Sequence, residues 1–226
     1  MSYENKKTVE IYKKYAKKFI ETCRKHDLKY INEAKYKEKN IRSFLKNAFN
    51  SLPSGSQILE IGAGEGKLSK YLTELGYNIC ASDVADDFLL TIKEKGLTPL
   101  KFNVLEDEFK NKYHGILCWR VFVHFTKEDI EYALKKIYDA LEENGILVFN
   151  VKNREVENIE GEWRDYPHEY HMGVARFFTY FYKDEIDEMI NKIEYKLISF
   201  HKEGGENNDK WLVYVLEKRW LQNEDK

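Results

Sequence analysis

Proline and cysteine are scarce, and no long apolar run occurs. Only three prolines fall among 226 residues, with no low-complexity linker and no internal repeat. One folded unit with a sizeable core is therefore expected. No apolar stretch approaches the roughly 18 residues of a membrane span. The opening MSYENKKTVE lacks the apolar centre of a secretory signal. Cys23, Cys80 and Cys118 are odd in number and far apart, which fits neither a disulfide framework nor a zinc site. These absences point to a protein of the reducing cytoplasm, with no metal and no membrane partner. A hydrophobic content of 42% and an aromatic content of 15% exclude disordered and fibrous classes.

Charge is balanced overall but not along the chain. The 37 Lys and Arg against 39 Asp and Glu give a net charge of −2. Residues 1–50 nevertheless carry 14 basic and 6 acidic residues, a net of +8, and the remainder carries −10. Such a basic segment suits an anionic partner such as phosphate, nucleotide or RNA. It equally suits a solvated, lysine-rich helix face.

Periodicity predicts a helix over 6–24, with Val9, Tyr12, Tyr15, Ala16, Phe19, Ile20 and Cys23 recurring at three- and four-residue steps, and another over about 38–50. These two form an expected cap, residues 1–50, on a catalytic unit spanning 51–226. After the turn at Leu52–Ser56, short apolar runs at 57–61, 78–82, 99–102, 115–121 and 145–151 alternate with helical stretches at 67–75, 86–95 and 127–142. In the last of these, Thr126 and Asp129 make an N-cap-like start, and Gly145 is the expected stop. Strand–helix alternation predicts parallel βαβ units. Residues 152–174 read as irregular. They are followed by the apolar FFTYF at 177–181, a helix near 183–192, and strands at 195–201 and 210–218 joined by a glycine-rich turn as an antiparallel pair. The expected fold is α/β, a doubly wound seven-stranded mixed sheet.

The strongest chemical signal is ILEIGAGEGKLS at 58–69. A buried strand ends at Glu60. Gly62, Gly64 and Gly66 follow at alternate positions before a helix opens, and glycine there permits positive φ and close approach of backbone to a ligand. The spacing is not the G-x-G-x-x-G of a pyrophosphate turn, which argues against a nicotinamide oxidoreductase. An acid two residues before the first glycine suits a ligand bearing an ammonium group. Asp83 ends the next apolar run, 19 residues after Gly64, where a carboxylate accepts both hydroxyls of a ribose.

With these residues in view, the chain resembles the class I S-adenosylmethionine-dependent methyltransferases over about residues 10–218. Its E-I-G-A-G-E-G looks like their first motif. The resemblance implies S-adenosylmethionine as cofactor, S-adenosylhomocysteine as product, and cofactor contacts from Glu60, Gly62, Ala63, Gly64, Gly66, Asp83 and Val84. Asn103 and Val104, after the third strand, stand where the family touches adenine, although Asn103 also reads as a turn residue. Tyr12-x3-Ala16-x2-Phe19 resembles a helix that caps the methionine end in many members. It implicates Tyr12 and Tyr15, for which packing on a helix face is the plain alternative. Phe19 replaces the family's second tyrosine, and His114 replaces a usual acid in the fourth strand. Trp119 and Arg120 fall where the family line passes beneath the methionine and methyl group. Arg120 suits a carboxylate or an anionic acceptor, or simply faces solvent.

His124, His168 and His171 are candidate proton acceptors, since a neutral imidazole suits that task. The two latter lie in the 152–174 stretch, with Trp163, Arg164, Tyr166, Glu169, Tyr170 and Arg176 nearby. The expected activity is methyl transfer to O or N of a small-molecule acceptor, with an anionic one of phosphate, nucleotide or sugar type among the candidates, by a monomer or homodimer. An RNA methyltransferase and a non-catalytic cofactor-binding subunit are the alternatives.

Overall fold

The computed structural model describes residues 1–29, 31–165, 173–204 and 209–219, without the side chains of 31–38. Two helices lead, α1 (Tyr3–Lys29) and α2 (Ile31–Ala48). The alternating part follows as β1 (Gln57–Ile61), α3 (Lys67–Glu74), β2 (Asn78–Asp83), α4 (Asp86–Glu94), β3 (Thr98–Lys101), β4 (Tyr113–Cys118), α5 (Lys127–Ala140) and β5 (Leu141–Asn153). Then come α6 (Arg154–Glu157), β6 (Gly161–Arg164), β7 (Arg176–Phe181), α7 (Lys183–Lys192), β8 (Tyr195–Glu203) and β9 (Trp211–Lys218).

Seven strands run in the order β3-β2-β1-β4-β5-β9-β8, parallel except for the last strand pairings, β5 with β9 and β9 with β8. This is the doubly wound mixed sheet expected from the alternation. Both faces are covered, so the central strands are mostly apolar, with Glu60, Asn150 and Lys152 as buried polar exceptions. Leu59, Ile116, Leu147, Phe149 and Tyr214 pack under α5 and α7. The alternate residues Ile58, Leu117, Val148 and Val215 pack with Leu45 and Phe49 of the α2 region and Leu72 of α3.

Two expectations need correction. Residues 152–174 are not irregular throughout, because β6 pairs antiparallel with β7, bringing the sheet to nine strands. The reason lies in β5. It extends past the end of β4, whose last partner is Phe149, and the backbone at Lys152 and Asn153 pairs with Tyr180 and Phe181 of β7 instead. The β6–β7 hairpin therefore stands over the carboxyl end of the sheet. Gly145 also does not stop α5. The helix ends at Ala140 and β5 begins at the next residue.

The start of α5 is as read: the Thr126 side chain accepts from the Asp129 amide at 3.3 Å. Thr126→Ala is expected to cost about 1 kcal/mol of stability, the usual worth of an N-cap, measurable as a lower urea midpoint at unchanged slope. His114, the departure in β4, accepts from the first amide of β1, Gln57, through Nδ1 at 3.2 Å. Among the described residues no helix is long and apolar enough to cross a membrane.

Helix α1 lies across the carboxyl end of the sheet. Ala16 and Ile20 pack on Ala85 and Phe88 of the α4 region, and the Thr8 hydroxyl accepts from the Phe177 amide of β7 at 3.1 Å. At its far end Arg24 pairs with Glu65 at 2.8 Å and Lys67 with Asp27 at 2.6 Å. These bridges join the helix to the glycine turn.

Candidate active site

A cavity of about 850 Å³ opens at the carboxyl tips of β1, β2 and β4 and is walled by α1, β7 and the facing ends of β8 and β9 at Glu203, Gly204, Lys210 and Trp211. The glycine turn forms its floor. Gly62, Gly64 and Gly66 all take positive φ, at 68°, 54° and 70°. A Cβ at Gly62 would lie 2.5 Å from Val121 Cγ2, so the backbone passes there only as glycine. A Cβ at Gly64 would meet nothing within 4 Å, and the residue lines the cavity. The turn is pinned by Ala63 N–H to Ser82 O at 2.8 Å and by Gly64 N–H to Asp83 Oδ2 at 3.0 Å.

Asp83 is buried at the tip of β2. Its Oδ1 accepts from the Val84 and Ala85 amides at 2.7 and 3.1 Å. Burial raises its pKa to about 6, although these three amides oppose the shift. A carboxylate offers about four lone-pair sites. Three are filled here, so Oδ2 retains room for one hydroxyl rather than the two expected.

Glu60 does not reach the cavity. It is buried, its Oε2 accepts from the Ser69 hydroxyl of α3, and burial raises its pKa to about 7 with Asp83 adding to the rise. It braces the strand–turn–helix joint from beneath, rather than presenting charge to a ligand's ammonium group. Ala63, Gly66 and Tyr15 likewise do not line the cavity, whereas Gly62, Gly64, Val84, Asn103, Val104 and Trp119 do. Asn103 is also the turn residue of its alternative reading, its Oδ1 accepting from the Leu105 amide at 3.1 Å and its Nδ2 donating to Glu106 at 3.1 Å. Trp119, 8% exposed, has a buried indole N–H with no hydrogen-bond partner among the described residues. Arg120 sits at φ 60°, its amide donating to Asn150 Oδ1 at 2.7 Å.

On the wall, Tyr12 of α1 and His124, which follows β4, meet. The His124 Nδ1 lies 2.6 Å from the Phe177 carbonyl. A carbonyl only accepts, so Nδ1 carries the proton and Nε2 is left as an acceptor. The Tyr12 hydroxyl, 3.0 Å from Nε2, therefore donates to it, and Arg176 Nη1 donates to the same phenolic oxygen at 2.9 Å. Burial, with the cations Arg176 and Lys152 adding, pushes the His124 pKa down to about 3. Burial raises that of Tyr12, against the pull of Arg176. His168 and His171 lie outside the described residues.

Sequence reasoning missed Asn5, Thr8, Lys152, Phe178 and Trp211, all of which line the cavity. One signal was present: Lys152 directly follows the run GILVFNV at 145–151 that reads as a strand.

A family model for the methyltransferase domain matches residues 33–199, most of the chain. The chain belongs to the class I S-adenosylmethionine-dependent methyltransferases. The Bacillus subtilis protein YqeM, also described as a methyltransferase, is 25% identical over 109 residues, 45% of this chain and 44% of its own length. The chain thus aligns with under half of that relative. The ubiquinone biosynthesis O-methyltransferase of Pelagibacter ubique is 24% identical over 168 residues, 70% of this chain and 69% of its own. Among solved structures, magnesium protoporphyrin IX methyltransferase from Synechocystis with bound S-adenosylmethionine superposes with a TM-score of 0.61 at 12% identity, covering 82% of this chain and 79% of that one. The cofactor of this methyltransferase is S-adenosylmethionine. The residues present fit it: the backbone at Gly64 opens onto the cavity, Asp83 keeps acceptor capacity, and the Trp119 N–H awaits a partner.

Proposed function

We propose that this methyltransferase acts on an oxygen or nitrogen of a small molecule held between α1, β7 and the facing ends of β8 and β9. It would work in the reducing cytoplasm, a setting that suits the free Cys23, Cys80 and Cys118. The observation that carries this reading is the form of the cavity. It runs from Asn103 and Asp83 to Lys152 and Trp211 along α1, a half-open chamber of the size of a small-molecule site. Helices α1 and α2 are the cap in this reading.

The bound cofactor supplies an electrophilic methyl group on a sulfonium. The chain's own work is to hold and orient. Asp83 Oδ2 accepts from a ribose hydroxyl, and the turn at Gly62 and Gly64 lets backbone approach the ligand. The Trp119 N–H donates, and α1 with β7 excludes water. Positioning of this kind contributes up to roughly 7–11 kcal/mol toward a displacement. His124 is not the resting base of this scheme. With a pKa of about 3, taking a proton at neutral pH costs about 5 kcal/mol. Its part is to hold the Tyr12 hydroxyl, with Arg176, at the cavity wall.

The test is calorimetric titration with S-adenosylhomocysteine, followed by transfer of radiolabelled methyl from S-adenosylmethionine to small-molecule and RNA fractions of a cell extract. Label is expected in the small-molecule fraction. Label confined to RNA, or cofactor binding without any transfer, overturns the proposal.

A further inference from the structure

The end of the cavity away from the glycine turn gathers like charges. Lys152 is 2% exposed, and its ammonium lies 4.9 Å from the ring centre of Tyr180 and 5.5 Å from those of Phe178 and Trp211. The Arg120 guanidinium lies 5.3 Å from the same Trp211 ring. Lys210, next to Trp211 in the chain, lines the same wall, and Glu203 is the carboxylate that joins them there. Two further acids face Lys152 from the β6 side, Glu157 and Glu162. Both are shared with Arg164, at 3.9 and 3.0 Å, and Glu162 also accepts from the Tyr180 hydroxyl at 2.6 Å.

Burying an ammonium is costly, and aromatic faces recover part of that cost. Arg120 reaches the same indole, and Lys210 adds to the positive charge that faces Lys152. Burial, with Lys210 adding, lowers the Lys152 pKa to about 8. A negative ligand at this end of the cavity is drawn by all three cations. An ammonium and a guanidinium fork are groups suited to the oxygens of a carboxylate or phosphate, and the faces of Phe178 and Trp211 suit an apolar or planar body beside them.

We infer that Lys152, Arg120 and Lys210, around Trp211, form the acceptor subsite, and that the acceptor carries an oxyanion, carboxylate or phosphate, next to an aromatic or apolar body. This inference rests on the proposed function, since it assigns the acceptor half of the same cavity. It makes Lys152 a specificity residue: the anion is held there while the nucleophilic atom is directed toward Tyr12 and Trp119.

The test uses the full chain saturated with S-adenosylhomocysteine and titrated with benzoate, phenyl phosphate and benzyl alcohol. At least one of the two anions is expected to bind ten times more tightly than the neutral alcohol, and the pair tells carboxylate from phosphate. Lys152→Met is expected to reduce that anion's affinity at least tenfold, with S-adenosylhomocysteine affinity held within twofold. Lys210→Ala, at a half-buried position, serves if Lys152→Met does not fold, with a loss of threefold or more expected. Equal affinity for alcohol and anions, or anion affinity unchanged in the folded variant, overturns the subsite and leaves the methyltransferase reading intact. Failure of S-adenosylhomocysteine to bind overturns both.

Discussion

Asp83→Ala is expected to weaken S-adenosylhomocysteine binding by roughly 10–150-fold, the equivalent of about 1.5–3 kcal/mol for one hydrogen bond to a charged acceptor. The count of lone pairs sets this magnitude. Oδ1 is filled by the amides of Val84 and Ala85, and Oδ2 already holds Gly64 N–H, so one ribose hydroxyl is at stake rather than two. The substitution also frees three backbone amides, one of them in the glycine turn, which places the loss toward the upper end of the range. Gly64→Val reaches the same site from the other side, because a β-branched residue is strained at φ 54° and its side chain enters the cavity. Calorimetry on both variants, with thermal melting to show an intact fold, provides the measurement. Affinities within twofold of the parent in both would detach the cofactor from this corner of the cavity.

The same carboxylate gives a pH dependence of definite sign. Burial raises the pKa of Asp83 to about 6, from 3.8. Without ligand, its contribution to stability is complete below pH 3.8 and is lost as pH rises through 6. Glu60, raised to about 7, acts in the same sense. Ligand binding runs the other way, since a ribose hydroxyl needs the ionised acceptor. Affinity for S-adenosylhomocysteine is expected to be level above about pH 7 and to fall by about tenfold per unit below about pH 6. A flat profile from about pH 5 to 8 would show that the carboxylate is not the acceptor.

The alternating part of the fold is legible in the sequence because its strands are buried on both faces and its helices carry one apolar stripe, so that period alone separates them. The helix over Lys183–Lys192 falls on the residues that periodicity marks, as does the antiparallel pairing of β8 with β9. What escapes is non-local. The β6–β7 hairpin exists because β5 outruns β4 by a few residues, and strand overhang leaves no mark in hydrophobic spacing. Glu60 has the right position in the chain for a ligand contact, and its true partner, the Ser69 hydroxyl on α3, depends on the direction in which a strand's alternate residues point. Tyr12, by contrast, is legible through a motif resemblance. Its partners, His124 and Arg176, are 112 and 164 residues away, and only folding puts them in reach. Lys152 is the instructive case: a charged residue that continues the run GILVFNV into a buried stretch of strand carries a desolvation cost.

Tyr12→Phe tests the wall that Tyr12, His124 and Arg176 form. It removes one oxygen and with it two hydrogen bonds, leaving Arg176 Nη1 without this acceptor and His124 Nε2 without its donor. Leaving the buried His124 Nε2 without its donor costs about 1–3 kcal/mol, so the melting temperature should fall. Turnover should fall further, by about 10²-fold, or close to 3 kcal/mol. The reason is that the phenolic oxygen, held by a cation on one side and a neutral imidazole on the other, is a fixed polar group that α1 brings to the cavity in the proposed scheme. Binding of S-adenosylhomocysteine should stay within threefold, since Asp83 and the glycine turn are untouched. The ratio of the two effects is what discriminates: a purely structural tyrosine would lower the melting temperature while kcat, measured well below that temperature, stayed near the parent value. His124→Gln, which offers an acceptor near the same place, should recover part of what His124→Ala loses, because an acceptor for the tyrosine proton, and not a titrating base, is what the position supplies. Equal loss in both His124 variants would instead return that residue to the role of proton acceptor.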